Sequence, residues 1–186
     1  MSDLIQVKLQ RFSSLKRNET EERYACFRQL AYQHVTDNFL VTSRFKLDGI
    51  GSSALQAFAQ VWKTHGRLVQ WDWLIETMHW KKKQHARLEL AIWHGMHLCG
   101  LMLGSTSKRK KILYIRGIEG APYKHPLKGS VVPICIEVAE AYAALLGSEE
   151  IHILSPHPKL VPLYTKLGYN FKTRLLLYSY SVKIVD

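Results

Sequence analysis

A glycine at a helix start, with two lysines close by, is the feature of this sequence best suited to bind a phosphate group. Gly129 and Ser130 precede an apolar stretch, and Lys124 and Lys128 lie just upstream. The N-terminus of a helix offers free backbone N–H groups and a partial positive charge, and the lysines add full charges. We therefore expect Gly129, Ser130 and Val131 to donate to phosphate. An ordinary strand–loop–helix connection with a glycine in its turn stays open as the alternative.

The elements that position this glycine have clear start and stop residues. Ser130 is a favourable N-cap, and Pro133 stands in the first turn, where a missing N–H costs little. The apolar stretch that follows predicts a largely buried helix over residues 131–146. Gly147 is a natural end for this helix, since glycine readily takes a positive φ.

A second, short helix is predicted further along the chain. Residues 150–154 read as a short strand, and a Ser-Pro-His-Pro segment ends it. Residues 160–167 then predict the helix, with Pro162 in its first turn and Gly168 as its stop. A β-rich stretch begins at residues 169–171.

Three strands are predicted upstream of the glycine. Residues 87–93 alternate in polarity, His94 and Gly95 make a turn, and residues 97–103 return as a hairpin. Residues 112–118 form the third strand of this meander.

The order of these elements, together with one motif, resembles the GNAT N-acetyltransferase superfamily. The family's Tyr-x-x-x-Gly-Phe-like ending is matched by Tyr164, Gly168 and Tyr169. Its pyrophosphate loop is matched less well, because Pro126 stands where Gln or Arg is usual and Val131 where Gly or Ala is usual. The resemblance covers about half of the chain, from the predicted hairpin onwards.

The resemblance implies an α/β fold with a mixed, mostly antiparallel sheet and helices on both faces. It implies one domain over residues 1–186, with a mainly helical acceptor-side region at 1–85 and a cofactor-binding core at 86–186. The implied activity is direct transfer of an acetyl group from acetyl-CoA to an amine acceptor, without a metal. A basic nucleic-acid-binding or regulatory protein that keeps the fold but has lost catalysis stays open as the alternative.

The family also implies roles for particular residues. Tyr164 matches the position of the general acid, although a tyrosine in an apolar helix also serves packing alone. Glu119 is the candidate base, directly or through water, and His125 is the runner-up because its ordinary pKa lies near neutrality. A solvated loop carboxylate is an equally open interpretation of Glu119. The cofactor-binding candidates are Ile118, Lys124, Lys128, Gly129, Ser130, Val131, Ser155 and Tyr164.

In the family, the pantetheine arm lies along a splayed strand and pairs with its backbone, which is a form of strand addition. Here that strand is formed by residues 112–119. Gly117 and Gly120 allow a bulge or a close approach on it.

The formal net charge of +11 is the outlier of the composition. It suggests an acidic partner such as the anionic cofactor or nucleic acid, while solubility alone is the alternative. Basic residues cluster at 81–83 and 108–111, and both clusters are expected in loops or at strand ends. No aromatic RNA-binding signature or zinc-finger spacing accompanies them, so base readout is not expected. A homodimer is a further possible assembly.

The remaining composition favours a cytoplasmic enzyme without a membrane partner. No apolar run approaches the roughly 20 residues of a membrane span, and the N-terminal residues lack the apolar core of a signal peptide. Cys26, Cys99 and Cys135 have no metal-ligand spacing and lie among apolar neighbours. We expect them to be buried free thiols in a reducing compartment.

The first 85 residues carry weaker signals. Residues 4–9 are consistent with a first strand. Helical spacing of apolar residues predicts helices over residues 21–37, 54–63 and 71–80. The five tryptophans, which could line an acceptor cleft, are expected mainly to pack in the core or at its rim.

Overall fold

A computed structural model describes the backbone of residues 2–39, 44–69, 71–174 and 178–184, and the side chains of residues 18–39, 44–69 and 71–170. In chain order, the helices and strands are α1 (Ser2–Asn38), β1 (Lys46–Asp48), α2 (Ser52–Gln60), a 3₁₀ turn (Trp62–Thr64), α3 (Trp73–Lys83), β2 (Leu88–His94), β3 (His97–Thr106), β4 (Ile112–Gly120), α4 (Val131–Leu146), β5 (Glu150–Leu154), a second 3₁₀ turn (Pro158–Leu160), α5 (Val161–Lys166), β6 (Asn170–Arg174) and β7 (Tyr178–Ile184).

The strands form one sheet in the order β1-β2-β3-β4-β5-β7-β6. In the described part of the chain, β4 and β5 are the only parallel pair, and the other neighbours run antiparallel. The parallel pair follows from the connection through α4, since a crossover helix brings the chain back in the same direction. The predicted mixed, mostly antiparallel sheet is confirmed.

Helices cover both faces of the sheet, as predicted, and each face has its own apolar core. α1, α4 and α5 pack on one face, and α2 and α3 pack on the other. Because side chains alternate along a strand, Leu101 and Leu103 point toward α2 and α3, while Met102 points toward α4. Helix α4 is strongly apolar, and Val138, Ala139 and Tyr142 are fully buried on it.

An ion-pair network joins α1 to β2. Glu21 accepts hydrogen bonds from Arg87 and Arg28 at 2.7–3.0 Å and lies 2.9 Å from the ring of His85. Burial alone would raise the pKa of Glu21, but these partners outweigh it and hold the pKa at about 2. The network fixes the C-terminal half of the long helix onto the sheet.

The predicted strand over residues 4–9 is wrong, because these residues belong to α1. Their apolar residues continue into the helical pattern that follows, and extending a helix is easier than starting a separate strand beside it. The short strand β1, which pairs with β2, was not predicted. Three residues carry too little periodicity to signal a strand.

Other predictions near α3 and α1 need smaller corrections. The third helix begins at Trp73, because the Asp72 carboxylate accepts hydrogen bonds from the N–H groups of Leu74 and Ile75 and so caps the helix. The lysines at 81–83 lie in the last turn of this helix, where they complement its dipole, and not in a loop. Cys26 is exposed on α1, whereas Cys99 and Cys135 are buried free thiols as predicted.

The tryptophans pack as predicted, with Trp62, Trp73 and Trp80 buried in the core on the α2 and α3 face. Trp71 and Trp93 lie half-buried at its rim. In the part of the chain that the structure describes, no helix has both the length and the apolar character needed to cross a bilayer.

Candidate functional site

A bulge in β4 separates this strand from β5. Leu103 pairs with Gly117 and Gly104 pairs with Ile115, so Arg116 is an extra residue in β4. β4 pairs with β5 only over Ile112–Ile115. Beyond the bulge, the strand keeps its pairing with β3 and turns a free backbone edge toward the space beside β5. The predicted bulge near Gly117 is confirmed.

Two adjoining cavities lie where β4 and β5 separate. The larger one has a volume of about 520 Å³ and the smaller one about 100 Å³. Ile118 and Glu119 of β4 line both cavities, as do His157 and Leu160 on the opposite wall. The larger cavity reaches the start of α4, and the smaller one reaches Tyr164 on α5.

The start of α4 forms one end of the larger cavity. Gly129 has a φ of +92°, a value that favours glycine, and it lies exposed beside the cavity. Ser130 precedes the helix, but its side chain makes no capping hydrogen bond, so the predicted N-cap interaction is absent. Val131 and Val132 line the cavity at the first turn, where backbone N–H groups lack intrahelical partners.

The lysines near this helix start differ in position. Lys128 lines the larger cavity beside Gly129. Lys124 is exposed and lines neither of the two cavities. One of the two predicted phosphate-binding lysines therefore lies at the cavity.

Glu119 is held in a buried ion pair. Its carboxylate accepts hydrogen bonds from Arg67 Nε at 2.7 Å, Arg67 Nη2 at 2.6 Å and Trp73 Nε1 at 2.6 Å. The Glu119 side chain is 7% exposed, so a solvated loop carboxylate is the wrong interpretation. The hydrogen bonds to Glu119 raise the pKa of Arg67 above its ordinary value, so the guanidinium stays charged. Arg67 also packs against the Phe58 ring, 4.7 Å from its centroid.

Tyr164 lies in the second turn of α5, as predicted, and is 3% exposed. Its ring contacts Tyr169 edge to face, with the two centroids 6.4 Å apart. Burial raises the pKa of Tyr164 above its ordinary value, and the nearby Cys135 adds to the effect. The phenol therefore stays protonated throughout the physiological range.

His125 lies in the loop between β4 and α4 and lines the larger cavity. It is 8% exposed, and its Nδ1 atom has no hydrogen-bond partner among the described residues. Burial lowers its pKa, and the charges of Lys128 and His94 lower it further. The imidazole is therefore neutral near pH 7 and has a free acceptor nitrogen, as a proton acceptor requires.

Ser155 follows β5 and lines the smaller cavity together with Tyr164. Its φ of +46° is unusual for a residue other than glycine. Such a conformation costs free energy and is found mainly where a ligand or a tight turn requires it. The fold thus brings together the catalytic candidates and most cofactor candidates, while Lys124 and Ser130 line neither cavity.

Two contacts of the site were not predicted. Arg67 pairs with Glu119, and Trp71 packs on Gly117. The glycine within an otherwise apolar strand signalled a close approach, but nothing in the sequence identifies the group that approaches. In the described residues, no cluster of three His, Cys, Asp or Glu side chains could hold a metal ion.

Solved structures of N-acetyltransferases match this fold at low sequence identity. Campylobacter jejuni N-acetyltransferase PseH is 13% identical with a TM-score of 0.54, and the match covers 76% of this chain and 99% of PseH. Mutant forms of the Vibrio cholerae spermidine/spermine N-acetyltransferase SpeG are 15% identical with a TM-score of 0.56, covering 75% of this chain and 93% of SpeG. An acetyltransferase from Thermus thermophilus is 9% identical with a TM-score of 0.56, covering 75% and 96%.

The chain has the GNAT fold. No protein-family model matches its sequence, and no curated protein matches it either. The GNAT fold is therefore recognisable from the structure, and the activity has to be inferred from the residues that line the two cavities.

Proposed function

We propose that this protein is an N-acetyltransferase that moves an acetyl group directly from acetyl-CoA to an amine. The observation that carries this proposal is the free edge of β4 beyond Arg116, which lies between the start of α4 and Tyr164. An extended ligand can pair with such an edge as an added strand. A solved structure of PseH contains acetyl coenzyme A, which supports the same donor here.

The cofactor would lie along the larger cavity. The pyrophosphate would meet the N–H groups at Gly129 and Val131, with Lys128 as its counter-charge. The pantetheine arm would run past Ile118 toward Ser155. Lys124 and Ser130 are proposed only as outer contacts, because neither lines the cavity.

The chemistry would take place where the larger cavity adjoins the smaller one. The amine nitrogen attacks the thioester carbon, a tetrahedral intermediate forms, and the bond from carbon to sulfur breaks. The leaving thiolate takes the proton of the Tyr164 hydroxyl, and a base takes a proton from the amine nitrogen. A backbone N–H of the free β4 edge would stabilise the negative charge that develops on the carbonyl oxygen.

Two residues of the larger cavity are candidates for the base. Glu119 lies on β4 and lines both cavities, but three hydrogen bonds from Arg67 and Trp73 occupy its oxygens. This arrangement favours a positioning role for Glu119 beside its proposed role as base through water. His125 is neutral and has an unpaired nitrogen, which favours it as the proton acceptor.

The acceptor would enter from the side of α2 and α3, where the loop that carries Arg67 borders the larger cavity. This assigns the acceptor side to the first 85 residues, and the cofactor core to the rest of a single domain. The unpaired cysteines agree with a cytoplasmic location. Nucleic acid as a partner rests on the net charge of +11 alone, and a homodimer stays a prediction.

Hydrogen–deuterium exchange with and without acetyl-CoA tests this proposal without knowledge of the acceptor. We expect slower exchange at the amides of residues 116–120 and 128–132, where the arm and the pyrophosphate would bind. The amides of residues 18–39 in α1 serve as an internal control and should not change. Absence of protection at both segments, in acetyl-CoA at millimolar concentration, would overturn the proposal.

A further inference from the structure

The indole of Trp71 lies directly on the backbone of β4 at Gly117. A Cβ atom at position 117 would lie 2.3 Å from Cζ3, 2.6 Å from Cη2 and 2.8 Å from Cε3 of this ring. All three distances are shorter than any real contact of a Cβ atom. Only a glycine at this position lets the ring occupy the strand face just beyond the bulge.

Trp71 is fixed in this position by its neighbours. Arg67 Nη2 donates a hydrogen bond to the Trp71 carbonyl oxygen at 2.8 Å, and the same guanidinium holds Glu119 on β4. The ring also packs against Trp73, with centroids 5.7 Å apart, and Trp73 itself donates to Glu119. The hydrogen bond from Arg67 therefore holds the Trp71 backbone, and the contacts with Gly117 and Trp73 hold its ring, so Trp71 acts as a rigid wall.

The acyl group of the donor would point toward this wall. Under the proposed function, the thioester sulfur lies within reach of the Tyr164 hydroxyl. Tyr164, Gly117 and Trp71 all line the smaller cavity, as do the apolar side chains of Ile115 and Ile153. At about 100 Å³, this cavity has a fifth of the volume of the larger one that would hold the pantetheine arm.

We propose that Trp71, seated on Gly117, restricts the acyl donor to a short acyl group, with acetyl preferred over chains of four or more carbons. The proposal rests on the proposed function and deepens it, because it names the residues that limit the length of the acyl group. A longer chain would meet the indole, which is held against β4 by its packing on Gly117 and Trp73. An extra methylene in such a pocket is commonly discriminated by 10- to 200-fold.

The test compares the affinities of free CoA, acetyl-CoA and butyryl-CoA by isothermal titration calorimetry. Wild type is expected to bind butyryl-CoA about tenfold more weakly than acetyl-CoA. In Trp71→Ala this ratio should fall to about threefold or less, since the wall is removed. Trp71→Phe keeps an aromatic ring over Gly117 and should keep most of the wild-type ratio. An unchanged affinity for free CoA, which lacks the acyl group, shows that the variants are folded.

The outcomes separate this inference from the proposed function. Equal affinities of wild type for acetyl-CoA and butyryl-CoA would overturn the inference, and so would an unchanged ratio in folded Trp71→Ala. In either case, binding of free CoA and acetyl-CoA would leave the proposed function standing. Failure of wild type to bind any of the three compounds would overturn the proposed function and the inference together. The ratio of the wild-type affinities for acetyl-CoA and butyryl-CoA tests the inference even if Trp71→Ala does not fold.

Discussion

Arg67 and Glu119, 52 residues apart in the sequence, form a buried two-point ion pair in which Arg67 Nε lies 2.7 Å from Oε1 and Nη2 lies 2.6 Å from Oε2. The side chains are 8% and 7% exposed. This pair joins the loop between α2 and α3 to the strand along which the cofactor is proposed to lie. Because the same guanidinium binds the Trp71 carbonyl, one contact positions both the proposed acceptor side and the wall of the acyl cavity.

Removing either member of this pair should destabilise the protein strongly, because the other charge would be left buried without a partner. We predict that Glu119→Gln and Arg67→Met each lower the free energy of unfolding by about 3–5 kcal/mol. The double variant should lose less than the sum of the two. Lys46→Met serves as the control, since it breaks an exposed pair with Asp48 and should cost no more than about 1 kcal/mol. Urea denaturation of the four variants measures these values, and additive losses would contradict the prediction.

Tyr164→Phe should separate catalysis from binding. The variant keeps the ring and its contact with Tyr169 and removes only the hydroxyl. We predict that the affinity for acetyl-CoA stays within about twofold, while turnover falls by about 10²–10⁴-fold, the usual effect of a lost general acid. Among the described residues, none forms a hydrogen bond with this hydroxyl, so the melting temperature should change little. Turnover equal to wild type would show that the thiolate leaves without this proton.

The pH dependence of turnover should identify the base. The pKa of His125 lies below its ordinary value of 6.5, so the imidazole loses its proton below neutrality and is ready to accept one at pH 7. If His125 is the base, turnover falls as the pH drops through this lowered pKa. The basic side should show no decline from Tyr164 below pH 10, because burial raises the pKa of that phenol above its ordinary value of 10.0.

Two variants show which residue causes the fall in turnover at acidic pH. We predict that turnover of His125→Gln no longer falls as the pH drops. Turnover of Glu119→Gln should be lower than that of wild type at every pH but should still fall at acidic pH. Arg67→Met should resemble Glu119→Gln, because both break the same positioning contact. Loss of this fall in Glu119→Gln, with its retention in His125→Gln, would instead assign Glu119 as the base that the sequence predicted.

The basic turn at residues 108–111 should not contribute to cofactor binding. It precedes β4, and the nine residues of this strand place the turn about 30 Å from the far end that faces α4. Charges at this distance are screened at 0.1 M salt, where the Debye length is about 10 Å. Replacing Lys108, Arg109, Lys110 and Lys111 by Gln should therefore leave the affinity for acetyl-CoA within about twofold, whereas Lys128→Gln alone should weaken it by about tenfold.

The same fourfold variant tests the nucleic-acid alternative. If the turn binds nucleic acid, affinity for a single-stranded or duplex probe falls steeply with salt, and the variant shows a smaller salt slope. If wild type does not bind either probe at low salt, the net positive charge serves solubility and attraction of the anionic cofactor, and not nucleic-acid binding.

Local signals made the second half of the chain predictable. The glycine at position 147 takes a φ of +68° at the end of α4, and the strand over residues 150–154 has the bounds that its pattern indicates. Alternating residues likewise located the hairpin of β2 and β3. In these segments, turn chemistry and periodicity agree with the tertiary structure, so short-range reasoning was sufficient.

Contacts between distant segments were not predictable in the same way. Nothing local to Arg67 or Trp71 shows that they reach β4, because that contact exists only once the loop between α2 and α3 packs on the sheet. For Glu119, the position at the strand end was predicted from the sequence, but the burial of its carboxylate was not. The prediction of a strand over residues 4–9 was wrong for a different reason. A short apolar alternation does not distinguish a strand from the start of a long helix.

The most direct test of the account is the affinity for acetyl-CoA of wild type and of Gly129→Asp, measured by calorimetry. Gly129 has a φ of +92° at the start of α4, and aspartate there would add backbone strain and a negative charge where the pyrophosphate is proposed to bind. Gly95→Asp is the matched control, since Gly95 also has a positive φ of +56°, no neighbouring atom lies within 4 Å of its Cβ position, and it lines neither cavity. We predict saturable one-to-one binding to wild type and Gly95→Asp, and no measurable binding to a folded Gly129→Asp. Absence of binding to wild type at millimolar acetyl-CoA, or equal binding to Gly129→Asp, would contradict the account.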